Sequence, residues 1–191
     1  VTFDTVIYWN KRYRRGKNSG AGSRGQWGDH KVDYVNRLIM GQKVDTLIDW
    51  GCGDGMLASR FQVAHYVGLD VSPFALGLCA RACGFRPGWG WCLYDGFDSP
   101  WYLPPADLAL SLDVIFHLVD DAMYYRHLEL LFTSAPLVAV HSSNRDEHGH
   151  PHVRHREFTR DIPSGWSLVE KARDKRPEGI SMWLFKKAEN S

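Results

Sequence analysis

The stretch Leu47-Ile-Asp49-Trp50-Gly51-Cys52-Gly53-Asp54-Gly55 constrains this chain more than any other. An apolar run that ends in an acid and passes straight into alternating glycines reads as a buried strand followed by a turn with a bare inner surface. Strand-like and helix-like segments alternate from there on. Residues 44–50 read as the first strand and 56–63 as a helix, then 66–70 as a strand and 73–83 as a helix. Further strands are expected at 89–94, 108–112 and 137–141, with a helix over 121–132. Upstream, Val32, Val35, Leu38 and Ile39 repeat at helical spacing, and Gly41 is a natural stop. Such alternation predicts a doubly wound α/β sheet, mostly parallel and covered by helices on both faces. Segments 166–172 and 180–186 have no helix between them, so they are expected to pair as an antiparallel hairpin.

Open sheets of this kind bind ligands at the carboxyl ends of their strands. Four successive strand ends here carry a carboxylate: Asp49, Asp70, Asp95 and Asp113. Asp70 follows Asp49 by 21 positions, the spacing at which an acid accepts hydrogen bonds from ribose hydroxyls. A dinucleotide would need room for its pyrophosphate, usually over Gly-x-Gly-x-x-Gly. The spacing here is Gly-x-Gly-x-Gly, and Asp54 inside the turn repels phosphate. S-adenosylmethionine has a ribose, a sulfonium, an ammonium and no phosphate, so the row of acids favours it over NAD.

Asp49-x-Gly-Cys-Gly-x-Gly55, Gly68-Leu-Asp70, an acid at the third strand end and Asp107-Leu-Ala-Leu-Ser-Leu-Asp113 together resemble a class I S-adenosylmethionine-dependent methyltransferase over residues 44–143. The resemblance implies a Rossmann-like sheet of seven strands whose last strand is antiparallel. It also implies that Gly51, Cys52, Gly53 and Gly55 border the methionine part of the cofactor, with Asp49 supporting the turn. Asp70 with Val71 would hold the ribose. Asp95, Gly96 and Phe97 would border the adenine, and Ser111, Leu112 and Asp113 the methionine side. Trp50 departs from the pattern, which usually has a smaller residue there, and its bulk is expected to pack beneath the turn.

Residues 1–28 stand apart as a basic, glycine-rich leader before a methyltransferase domain over 29–191. From Thr5 to Gly28 there are six basic side chains and no acid. The leader resembles that of bacterial and phage-type methyltransferases, which implies a lid in which Tyr13 covers the ligand and Arg24 meets the methionine carboxylate. Over the whole chain charge is balanced: 23 basic against 22 acidic side chains give a formal net charge of +1, which argues against a general polyanion binder but allows a local basic patch. No apolar run reaches the roughly 20 residues of a membrane span, so a cytoplasmic protein without a membrane partner is expected. The four cysteines lack a zinc-type Cys-x-x-Cys pair and are expected to be reduced and mostly interior.

Methyl transfer is an in-line displacement, and an alcohol acceptor usually needs a base. His141, ending the fifth strand, and His117, just past the fourth, are the candidate bases, with Asp113 beside them. Five of nine histidines fall within 141–155. Their spacing forms no firm ligand pattern, so no metal site is assigned, and Arg154 and Arg156 are either anion contacts or a charged face. A small-molecule or saccharide oxygen is the expected acceptor. The alternative is a nucleic-acid hydroxyl or base reached through the basic leader. No Asp/Asn-Pro-Pro-aromatic motif follows the fourth strand and no Pro-Cys dipeptide occurs, which excludes two nucleic-acid subtypes. A non-catalytic cofactor-binding module is a third reading that the intact glycines and acids disfavour.

Overall fold

The protein was analysed as a computed structural model that describes residues 3–98, 102–174 and 179–188. Helix α1 (Thr5–Arg14) is capped by Asp4, whose carboxylate accepts the Ile7 N–H at 2.8 Å, and its last turn holds Lys11, Arg12 and Arg14 near the negative end of the helix dipole. A glycine-containing loop with one 3-10 turn leads into α2 (Gly25–Gln42). The expected boundary at residue 28 therefore falls inside α2. This helix buries Val32, Val35, Leu38 and Ile39 as the spacing predicts, but it runs past Gly41 and stops at Lys43, which takes the left-handed conformation at φ 55°.

Strand β1 (Thr46–Trp50) enters the glycine turn, and the helix expected at 56–63 is absent; one 3-10 turn at Ala58–Arg60 stands in its place. Side chains from elsewhere take the backbone groups a helix would use. Arg86 donates to the carbonyls of Ser59 and Phe61, while Asn36 accepts the Gln62 N–H and donates to the Arg60 carbonyl. Those bonds outcompete nucleation of a helix barely two turns long. Next come β2 (His65–Asp70) and α3 (Pro73–Cys83), which starts on a Ser72 cap with Pro73 in its first turn and is followed by Gly84. After β3 (Trp89–Leu93) and β4 (Leu108–Leu112) comes α4 (Asp121–Ser134), capped by Asp120. Strand β5 (Leu137–Ser142), a two-stranded ribbon of β6 (Glu147–His148) and β7 (Arg154–His155), β8 (Trp166–Arg173) and β9 (Ser181–Lys187) complete the chain.

Seven strands form one sheet in the order β3-β2-β1-β4-β5-β9-β8. The first five are parallel, and β9 runs antiparallel to both β5 and β8, so the expected hairpin and antiparallel last strand are present. Strand order reverses between β1 and β4, which opens a crevice at their carboxyl ends. Alternate strand residues feed two cores, as a doubly covered sheet requires. Leu47, Leu108 and Leu110 pack with Val35 and Leu38 of α2 on one side; Ile48, Ala109 and Val140 pack with Leu128 and Phe132 of α4 on the other. Trp50 points into the α4 side, fully buried, where its Nε1 donates to Ser134 Oγ at 3.0 Å. Its bulk thus lies beneath the turn and away from the crevice. All four cysteines are free, with Cys52, Cys79 and Cys83 buried and Cys92 half-buried.

Candidate active site

The crevice between β1 and β4 opens into a cleft lined by residues of β1, β2, β4, the glycine turn and α1. Its floor is the glycine turn. The N–H groups of Gly51 and Cys52 both donate to the Leu69 carbonyl, at 2.8 and 2.9 Å, which ties the turn to β2. Gly53 and Gly55 adopt φ of 59° and 77°. A Cβ on Gly53 would collide with Ser19 Oγ, and one on Gly55 would lie 2.7 Å from the Cys79 Cα, so both positions need a bare backbone.

The roof is the leader. Thr5, Trp9 and Tyr13 of α1, spaced four apart on one helix face, all line the cleft. Asp54, read from sequence only as a group that repels phosphate, is the leader's anchor. It accepts the Ser19 N–H at 3.0 Å and pairs with Arg24 at 2.7 Å, while its own N–H donates to Ser19 Oγ. Although burial pushes the other way, these bonds hold the Asp54 carboxyl below its ordinary range. Tyr13 reaches Ser19 Oγ at 2.9 Å, and its pKa is raised, chiefly by burial. Arg24 is thereby engaged by Asp54 and does not line the cleft.

Four carboxylates line this cleft, those of Asp49, Asp54, Asp70 and Asp113, and among the described lining residues there is no lysine or arginine. Burial raises Asp70 to about 6, partly offset by the N–H groups of Ser72 and Gly53 that it accepts at 2.9 and 3.0 Å. Burial likewise raises Asp49 to about 7 despite a 2.9 Å hydrogen bond from Tyr66. Burial thus disfavours the charged form of both carboxyls. His117 also faces the cleft. Its Nδ1 lies 2.9 Å from the His152 carbonyl, which can only accept, so Nδ1 carries the proton and Nε2 carries the lone pair. Burial lowers its pKa to about 4, which keeps the ring neutral at physiological pH.

Asp113 adopts φ 61°, unusual for a residue with a side chain. Two groups hold it there: the ammonium of Lys31 on Oδ2 and His141 Nδ1 at 2.6 Å from Oδ1. His141 Nε2 in turn lies 3.2 Å from Asp174. His141 is fully buried and absent from the cleft lining, so the expected base at this position is corrected to a group that acts on Asp113.

Of the other expected residues, Gly51, Cys52, Gly53, Val71 and Leu112 line the cleft together with Tyr13, Asp49, Asp70, Asp113 and His117. Gly55 lies behind the turn against Cys79, and Ser111 is buried with Oγ 2.9 Å from His127 Nε2. Asp95 is exposed and accepts the N–H groups of Phe97 and Asp98 at the tip of its own turn. Gly96 packs on Met123, and Phe97 is exposed; none of these three lines the cleft. Of the histidines of 141–155, His155 reaches Ser143 Oγ at 2.6 Å, His152 stacks between His117 and Tyr8, and His148 is exposed. Arg156 binds the carbonyls of Leu118 and Val119, and both Arg154 and Arg156 pair with Asp121. Among the described residues no group of three or more His, Cys, Asp and Glu is placed to hold a metal ion.

Thr5, Trp9 and Lys31 were not singled out from sequence. Thr5 and Trp9 were legible as the i−8 and i−4 partners of Tyr13 behind a capping Asp4. Lys31 was legible as a lone cation on the apolar stripe of α2.

Sheet order, glycine turn and acidic crevice define the class: this is the fold of the class I S-adenosylmethionine-dependent methyltransferases. No family model matches the chain. It is similar to the small RNA 2′-O-methyltransferase of Arabidopsis thaliana, 29% identical over 132 aligned positions that cover 56% of this chain and 14% of that protein. Among solved structures, the N-methyltransferase NodS from Bradyrhizobium japonicum WM9 with bound S-adenosyl-L-homocysteine superposes with a TM-score of 0.76 at 15% identity, covering 98% of this chain and 100% of that one. Magnesium protoporphyrin IX methyltransferase from Synechocystis PCC 6803 with bound S-adenosylmethionine gives 0.71 at 16% identity, covering 98% and 99%. The methyltransferase domain of bacterial CtHen1-C gives 0.65 at 17% identity, covering 85% and 99%. No helix among the described residues is long and apolar enough to cross a membrane.

Proposed function

We propose that this cleft binds S-adenosylmethionine and that the chain transfers its methyl group to a hydroxyl or amine held against His117. One observation carries the reading: a cleft floored by bare glycines is lined by Asp49 and Asp70, which form no ion pair among the described residues, while its other two acids, Asp54 and Asp113, are met by Arg24 and Lys31. That surface attracts a cationic nucleoside and repels phosphate. When bound, the cofactor supplies a sulfonium methyl group open to in-line displacement.

The chain's own groups divide the remaining work. Asp70 accepts the ribose hydroxyls and, with Asp49, balances the ligand's positive charge. Trp9 and Tyr13 roof the cleft and exclude water. His117 accepts a hydrogen bond from the acceptor through Nε2, which turns the nucleophile's lone pair toward the methyl group. A ring with a pKa near 4 orients that nucleophile and does not hold its proton before the transition state. Asp113, fixed by Lys31 and His141, shapes the wall beside the methyl group.

A hydroxyl of a small molecule or saccharide fits this arrangement. A hydroxyl of RNA is the second reading, favoured by the likeness to the plant small RNA 2′-O-methyltransferase.

Calorimetric titration tests the assignment. S-adenosylmethionine is expected to bind in the micromolar range and NAD not at all; the reverse result, or no binding of either, overturns it. His117→Ala is expected to lower turnover about 100-fold with cofactor affinity unchanged, the usual scale for a positioned proton acceptor. Equal loss of both removes His117 from the acceptor side.

A further inference from the structure

A second hollow adjoins the cleft, sharing Tyr13, Asp54 and Met56 with it, and its chemistry is opposite. Its rim carries Arg14 and Lys17 from the leader, Arg24, and Arg81 from α3, against the single carboxylate of Asp54. Asp54 is already engaged by Arg24 and Ser19. Arg14, Lys17 and Arg81 are exposed and make no side-chain hydrogen bond or ion pair among the described residues. The floor is apolar: Phe74 is 44% exposed and Met56 40%, with Leu78 beside them. A chain with net charge +1 has gathered three unpartnered cations around an uncovered aromatic ring.

We infer that this hollow grips single-stranded RNA, with Arg14, Lys17 and Arg81 on the phosphodiester backbone and a base stacked on Phe74. The inference deepens the RNA reading above and rests on it. An apolar floor under a cationic rim matches a nucleotide, whose base has an apolar face and whose phosphate is anionic. An inorganic anion uses only the rim and leaves the floor wet. A duplex hides the base faces, so the floor selects unpaired strand. The two hollows share Tyr13, Asp54 and Met56 as a common wall, so a strand seated here lies alongside the cleft. The acidic cleft repels that backbone and admits the acceptor group alone.

The test uses the full chain and a fluorescein-labelled single-stranded 12-nucleotide oligouridylate, read by anisotropy. Three backbone contacts on a single strand give a salt slope near −2, so affinity is expected to fall roughly 20-fold between 50 and 200 mM salt. The double variant Lys17→Glu/Arg81→Glu is expected to weaken binding at least tenfold and to flatten the slope. Phe74→Ala is expected to weaken binding about fivefold or more with the slope unchanged, as loss of stacking alone does. Circular dichroism melting establishes that each variant folds, and calorimetry with S-adenosylmethionine is expected to return the parent affinity. Unchanged RNA binding in the double variant overturns the inference, as does absence of RNA binding by the parent chain. Retention on phosphatidylserine vesicles without RNA binding also overturns it, in favour of a lipid surface. Loss of cofactor binding in the parent chain, with RNA binding intact, instead overturns the methyltransferase reading.

Discussion

The two halves of the carboxyl edge handle buried acid in opposite ways. On the β1–β2 side, Asp49 and Asp70 are buried with hydrogen-bond donors but with no lysine or arginine among the groups lining the cleft, and burial raises both carboxyls into the range near neutrality. On the β4–β5 side, Asp113 receives the chain's own cation, the fully buried Lys31, together with His141. The first arrangement holds unmet electrostatic demand for a ligand to satisfy. The second satisfies that demand internally and spends it on geometry, fixing an aspartate at φ 61°. One sheet edge thus carries two acids that form no ion pair among the described residues beside one that the chain's own cation meets.

The largest expected effect comes from breaking the self-sufficient half. Lys31→Met removes the fully buried ammonium and leaves the half-buried Asp113 carboxylate with His141 as its remaining partner, which costs about 3 kcal/mol. Thermal unfolding should show a drop of about 6–12 °C for a domain of this size. An unchanged melting temperature would show that Asp113 does not depend on that cation.

Asp70→Asn addresses the other half. It retains the shape and loses the charge, so S-adenosylmethionine affinity by calorimetry is expected to fall about 100-fold, the scale of a charged hydrogen bond, while the unliganded melting temperature holds or rises.

The proton linkage is next in size. A cationic ligand prefers ionised carboxylates, and Asp70 ionises near 6, so cofactor affinity should weaken about tenfold from pH 7.5 to pH 5. A flat pH profile would remove the charge argument.

The smallest effect belongs to Asp49. Its folded-state pKa of about 7 lies above the ordinary 3.8, so its contribution to unliganded stability is present at low pH and is lost as pH rises through 7. Asp49→Asn is therefore expected to stabilise the unliganded protein by about 1 kcal/mol at pH 8, with the gain shrinking as pH falls below 7 and vanishing below the ordinary 3.8.

What the sequence revealed follows the range of the interactions involved. Strand β1, its glycine turn and the acid of Asp70 are short-range patterns, as are Pro73 and Gly84 at the two ends of α3, and all stand where expected. The missing helix after Gly55 depends on Asn36 and Arg86, which approach from other elements and leave no local trace. Helix α1 was hidden because glycines and positive charge dominate the leader's composition, although its i, i+4 stripe was present. The role of His141 depended on Lys31 and Asp174, which are distant from it along the chain. Histidine at a strand end looks the same in sequence whether its ring faces solvent or the interior.

The attachment of the leader to Asp54 has a mechanical consequence. One ion pair and the hydrogen bonds to Ser19 at this partly exposed site add to the Thr5 and Asn10 contacts that hold α1 on the domain. Because the same loop both floors the cleft and ties the leader above it through Asp54, the roof cannot lift without breaking contacts made by the floor itself.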